Sequence, residues 1–136
     1  MTIAILTGLS VAGTVRESSN FLIRLDKNKL QVDLNISVTL GITAEEAKRK
    51  LTRFFMDEVS LFISPESPLL VVADPETIFW RFPIVFSMGH YGKLGQVGQV
   101  DVDAQGGELL LNDRLLEEIK ANARTLARGA TLSTNN

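Results

Sequence analysis

The chain has 136 residues, 45% of them hydrophobic and 22% charged, a balance that suits one folded core and excludes a disordered polyelectrolyte. Fourteen basic against sixteen acidic residues leave a net charge of -2, so no global positive field gathers phosphates, and neither a nucleic-acid nor a membrane partner is expected. The absence of cysteine excludes disulfide frameworks, thiolate zinc sites and a cysteine nucleophile.

The opening MTIAILTGLSVAGTV is mildly apolar, but no Lys or Arg precedes it, and Thr7, Gly8 and Ser10 interrupt the run. It reads as native structure rather than an export signal, with strand pieces near 3–6 and 11–15. No stretch reaches the ~20 apolar residues that span a bilayer, and a cytoplasmic location is the expectation. NFLIRLD reads as a strand, DKNK as a turn, and LQVDLNISVTL as a second strand. In the last of these Leu30, Val32, Leu34, Ile36, Val38 and Leu40 alternate with polar residues.

Gly41 ends that strand and TAEE opens a helix, with Thr43 as its cap and Glu46 completing a capping box. Ala47, Leu51, Phe54, Phe55, Val59 and Phe62 follow as one apolar stripe; Lys48, Arg49, Lys50 and Arg53 lie mostly off it, as a solvated face. SPESP is expected to stop the helix. LLVVA is then a short strand, DPET a turn, and IFWRFPIVFSM a strand sending Ile78, Trp80, Phe82, Ile84, Phe86 and Met88 to the core. Pro83 lacks an N–H, which places this strand at an edge or gives it a bulge. In GHYGKLGQVGQ, Gly92, Gly95 and Gly98 lack the context of a nucleotide-binding loop and read as a long hairpin loop with a bulge.

VGQVDVDAQGGELLL admits two readings. As a strand, turn and strand, it puts Val100, Val102 and Ala104 on one face, Asp101 and Asp103 on the other, and turns at 105–107. As a calcium loop it fails, because Asn112 stands where a bidentate Glu belongs and no helix precedes it. The hairpin is preferred, and no metal ligand is expected.

ITAEEAKRKL and VGQVDVDAQGGELLL together resemble the PepSY domain, in which a helix with an E-E-A motif leads into an antiparallel sheet ending V-D-x-x-x-G-E-[ILV]. The matching positions are Ala44, Glu45, Glu46 and Ala47, then Val102, Asp103, Gly107, Glu108 and Leu109, within residues 42–111. The resemblance implies an inhibitory or protein-binding module rather than a catalyst. The family usually acts outside the cytoplasm, and the chain departs from it there, showing no export signal. The stretch from SPLLVVADPETIFWRFPIVFS to GQVGQVDVDAQGGEL is also similar to small bacterial proteins, notably cyanobacterial ones.

NDRLLEEIKANARTLARG reads as a helix capped by Asn112 or Asp113 and closed by Gly129, with acidic residues first and basic residues last, as the helix dipole favours. Its apolar stripe either packs on the chain's own sheet or docks on a partner. In the second case Leu116, Ile119, Ala123 and Leu126 are the candidate partner interface. His90, the single histidine, sits in a Gly-rich loop without a His-x-x-x-His or Glu-x-x-His partner, and a site there needs a pocket near Tyr91 and Asp101. No catalytic or cofactor-binding residue is expected.

The expected fold is therefore α+β: an antiparallel sheet of five or six strands covered by one long helix, with an additional C-terminal helix packed on it or at an edge. One domain is expected over 1–130, with N-terminal strands in 1–40, the PepSY-like part in 42–111 and the C-terminal helix in 112–129, followed by a disordered tail at 131–136. The functional expectation is a non-catalytic interaction or inhibitory module, self-associating as a homodimer or holding a protein partner. The alternatives are an antitoxin-like regulator docking through its C-terminal helix, and a small enzyme or ligand-binding protein near His90.

Overall fold

Strand alternation and two amphipathic stripes produce an α+β arrangement, which the computed structural model describes for residues 2–5, 16–17, 21–34, 38–74 and 76–134. In chain order the elements are β1 (Thr2–Ile5), β2 (Arg16–Glu17), β3 (Phe21–Asp26), β4 (Lys29–Leu34), α1 (Ala44–Glu58), β5 (Ile63–Pro65), β6 (Leu69–Asp74), β7 (Thr77–Met88), β8 (Gly92–Asp103), β9 (Leu109–Leu110) and α2 (Asp113–Thr134). The main sheet runs β1-β6-β7-β8-β9, with β5 also paired to β7; β2, β3 and β4 form a second sheet. Among the described residues all pairings are antiparallel except β1 on β6.

The β3–β4 hairpin forms where DKNK predicts it: Asp26 pairs with Lys29, and Lys27 takes the left-handed φ of 53° that a two-residue hairpin turn requires. The strand expected to run on to Leu40 is described over Lys29–Leu34; Val38–Leu40 are irregular and Leu40 is exposed, while 35–37 and the strand piece at 11–15 lie outside the described residues. α1 starts as read, the Thr43 hydroxyl accepting the Glu46 N–H at 3.1 Å. Ala47, Leu51 and Phe55 are buried on its inner face.

The end of α1 differs from expectation. The N–H groups of Val59 and Ser60 both donate to the Phe55 carbonyl, at 3.0 and 2.8 Å, which closes the helix before the SPESP segment. Phe62 thus falls outside the helical stripe, and Ile63–Pro65 form a short strand against Ile84–Phe86. β5 and β6 lie end to end along the same side of β7. Between them the Glu66 N–H donates to the Pro83 carbonyl at 2.9 Å, so Pro83 turns its backbone edge toward the gap, where no ladder N–H is needed. β7 is accordingly interior rather than an edge, and the expected bulge appears as two register shifts against β8, between Ile84 and Val85 and between Phe86 and Ser87.

The glycine-rich segment is also strand rather than loop. β8 pairs with β7 along its length, and only Gly89–Tyr91 make the connecting turn, with Gly89 and Gly92 at positive φ. Gly98 and Gly95 give α2 its seat: a Cβ at Gly98 would lie 2.8 Å from Ile119 Cγ1, and one at Gly95 would lie 3.2 Å from Leu126 Cδ1. α2 is capped by Asn112, whose Oδ1 accepts the Leu115 N–H at 2.8 Å. It passes through Gly129 to Thr134, so the glycine is no terminus and 131–134 belong to the helix rather than to a tail. The single covering helix is likewise corrected, because α1 covers β5 and β7 while the longer α2 covers β8 on the same face. Both helices, with Trp80, Phe82, Ile84, Val97, Val100 and Val102, build one hydrophobic core. Among the described residues no buried side-chain nitrogen or oxygen lacks a partner.

Candidate functional site

The two aspartates that look most like chemistry in the sequence are both engaged in the fold. Asp101 lies directly across the ladder from Arg81 and accepts two hydrogen bonds from it, at 2.9 and 3.2 Å, while the guanidinium stands 5.2 Å from the Phe79 ring centroid. The hydrogen bond from Asp101 raises the Arg81 pKa above its ordinary value; partial burial opposes this, and the Coulomb attraction of the carboxylate adds to it. Asp103 builds the turn. Its Oδ1 accepts the Gln105 N–H at 3.0 Å, its carbonyl accepts the Gly107 N–H at 2.8 Å, and its own N–H donates to the Glu108 carbonyl at 2.9 Å. Gly107 is glycine because its φ is +77°.

This turn fastens α1 to the sheet. The N–H groups of Gly41 and Ile42 donate to the Ala104 carbonyl at 2.8 and 3.2 Å, Trp80 Nε1 donates to the Ile42 carbonyl at 3.0 Å, and Lys50 Nζ donates to the Gly107 carbonyl. Among the described residues no group of three or more His, Cys, Asp or Glu side chains stands close enough to hold a metal ion.

His90 is exposed in the turn between β7 and β8, its ring 4.3 Å from that of Tyr91. About nine strand residues at ~3.3 Å each separate this turn from Asp101, so a pocket joining His90, Tyr91 and Asp101 is not formed. The stripe on α2 is used in cis: Ile119 and Ala123 are buried in the core, and Leu116 and Leu126 pack partly buried against it. As an interface for a partner this stripe is corrected, because the glycines of β8 let it close on the chain's own sheet.

A different surface remains open. Between the end of α1 and the middle of α2 lies a cleft of about 300 Å³, floored by Ile63 and Phe86 from the sheet. Val59 and Ser60 form one wall, and Lys120, Ala123, Arg124 and Ala127 form the other. In the turn between α1 and β5, between the cleft-lining Ser60 and Ile63, Leu61 is 72% exposed and Phe62 51%. That turn is pinned: the Phe62 N–H donates to Ser60 Oγ at 3.0 Å, and the Phe62 carbonyl accepts the Ser87 N–H at 2.8 Å. Two large apolar side chains are thereby held in water by a fixed backbone, unlike the scattered surface apolar residues of any fold.

The cleft walls differ in charge. Lys120 and Arg124 stand one helical turn apart on α2; Lys120 has Glu117 at 3.6 Å, and no described carboxylate lies within ion-pair distance of Arg124. The opposite wall follows Asp57 and Glu58, both exposed in a last turn of α1 that carries no basic residue. A second hollow of about 390 Å³, lined by Arg49, Thr52, Arg53, Met56 and Asp57, lies along α1.

Sequence reasoning missed Leu61 and Phe62 because VSLF continues the helical spacing of the stripe; the signal against it was the beta-branched and serine pair, Val59-Ser60, where the helix closes. Lys120 and Arg124 were visible only as dipole-compensating charges. Among the described residues no helix is long and apolar enough to cross a membrane. No family model matches the chain, and neither the curated proteins nor the solved structures contain a match to it.

Proposed function

We propose that the chain is a non-catalytic protein-interaction module whose docking surface is the cleft between α1 and α2. The observation that carries this reading is the pinned pair Leu61 and Phe62, exposed beside an apolar cleft floor. Large apolar groups exposed next to a concavity in the chain match the anchor-and-pocket pattern of protein recognition. The polar groups that most resemble a reaction centre support the same reading from the other side, since Asp101, Asp103 and Lys50 each serve a structural bond.

The PepSY resemblance fits this proposal. Its two motifs, 44–47 and 102–109, come from segments that meet in the structure, one at the start of α1 and the other at the turn that fastens it. The test is a photo-reactive phenylalanine analogue in place of Leu61, irradiated in the native host. A discrete covalent adduct with a protein is expected, and none from the same analogue at Gln99 on the opposite face of the sheet. If both positions remain without adducts, the docking reading fails.

A further inference from the structure

The cleft between α1 and α2 brings apolar and cationic side chains into one small space. Ile63 and Phe86, both buried, form its floor, and the α2 wall above them is kept low by Ala123 and Ala127. The two charged residues that line it, Lys120 and Arg124, have the same sign and share that wall, where side chains at i and i+4 start about 5–6 Å apart. Val59 and Ser60 opposite bring no charge, so the polarity of the cleft runs in one direction. Both cations remain available to a ligand. Glu117, the partner of Lys120 at 3.6 Å, is itself mostly exposed, and no described carboxylate lies within ion-pair distance of Arg124.

Small-molecule sites have this make-up, a mostly apolar concavity with a few polar groups that fix orientation. We infer that the cleft binds a small free carboxylate with an apolar chain, the chain lying on Ile63 and Phe86 and the carboxylate meeting Arg124 and Lys120. Size sets the class of ligand. At about 30 Å³ for each water-sized group, a cleft of about 300 Å³ takes about ten non-hydrogen atoms, which suits a carboxylate of about eight carbons and not a nucleotide or a long-chain lipid. Charge sets the head group. A carboxylate accepts two parallel N–H donors from an arginine, whereas a cationic head is repelled by both residues and a bare inorganic anion leaves the floor unused. The hollow along α1 does not fit the same ligand, because Met56 is its one apolar lining residue and Asp57 stands among its arginines. Binding of this kind depends on the residues that line the cleft, whereas the docking reading depends on Leu61 and Phe62, so each can fail without the other.

The test is a titration of the full, isotope-labelled chain with sodium octanoate below its micellar concentration, followed by amide chemical shifts. Saturable shifts at residues 59–63, 86 and 120–127 are expected, with a dissociation constant of about a millimolar or tighter for a ligand of this size. Acetate has the charge without the chain and octylammonium the chain with the opposite charge; each should bind about tenfold more weakly or worse. Lys120→Gln with Arg124→Gln, at positions that solvent reaches, should weaken octanoate by about tenfold, and Ala127→Leu, which fills the hollow, by a similar factor. Arg49→Gln with Arg53→Gln should change nothing. Circular dichroism checks that each variant folds.

The absence of a saturable shift up to about ten millimolar octanoate overturns the inference. So do shifts clustered at 49–57, equal binding of octylammonium, or binding indifferent to the loss of both Lys120 and Arg124. Binding to phosphatidylglycerol vesicles without binding to free octanoate overturns it in favour of a lipid surface. If octanoate occupies the cleft while Leu61 gains no protein adduct, the ligand site stands and the docking reading falls; adducts without octanoate binding give the reverse.

Discussion

α1 and α2 share one face of the main sheet but are held there by different means. The start of α1 is fastened by hydrogen bonds that each need a particular group: the Gly41 and Ile42 N–H donors on Ala104, Trp80 Nε1 on Ile42, and Lys50 on Gly107. α2 is held mainly by closeness. Ile119 and Leu126 lie above Gly98 and Gly95, and one side-chain bond, from Asn122 Nδ2 to the Val97 carbonyl at 2.9 Å, reaches the strand below. A clamp of directional bonds positions one end of a helix, whereas a floor without Cβ atoms lets a helix settle along its length. Where the two mechanisms no longer act together, beyond Phe55 on one side and Ile119 on the other, the helices leave the cleft between them.

The clamp should give the largest effect when broken. Trp80→Ala removes a fully buried indole and leaves the Ile42 carbonyl without its donor, so a loss of about 3–5 kcal/mol is expected. Because Trp80 is the single tryptophan, urea unfolding has to be followed by circular dichroism. The floor comes next. Gly98→Ala places a methyl 2.8 Å from Ile119 Cγ1 in a closed core, for an expected loss of about 1–3 kcal/mol, part of which Ile119→Val should restore. If Gly98→Ala costs nothing in thermal unfolding, α2 does not rest on β8 as described.

Asn122→Ala should cost less, about 0.5–1.5 kcal/mol, since a single hydrogen bond at the helix surface is lost. Hydrogen exchange should then rise along β8 and α2 but not at the start of α1, which separates the two modes of attachment. The smallest effect has the opposite sign. Gly129 lies inside α2 with nothing near the position a Cβ would take, so Gly129→Ala should stabilise by about 0.5–1 kcal/mol, read as a higher melting temperature.

The same contrast accounts for what could be read from the sequence. Directional, local devices were legible: the Thr43 cap, the turn in DKNK, the alternation of β7, and the turn that follows Ala104, though not the part of Asp103 in building it. Devices that depend on a distant neighbour were not. Gly95 and Gly98 read as loop residues because a missing side chain has no periodicity, and its purpose appears only when Leu126 and Ile119 arrive above it. Gly129 reads as a stop, but a glycine ends a helix only where the chain adopts the left-handed conformation there, and α2 continues instead. β5 was hidden in SPESP, being three residues with a proline and no alternation to detect. The cleft escaped for the same reason, since residues 59–63, 86 and 120–127 share no local pattern.

The placement of β1 bears on the order in which the molecule assembles. β7 and β8 are joined by three residues and can zip from their turn, whereas β1 pairs in parallel with β6, Ile5 opposite Val72, so its partners come from opposite halves of the chain. Closing so large a loop carries an entropy penalty that a short strand recovers only when β6 is already in position. β1 should therefore be the last strand to join the sheet and the first to leave it, and while it is away β6 presents a bare, templating edge.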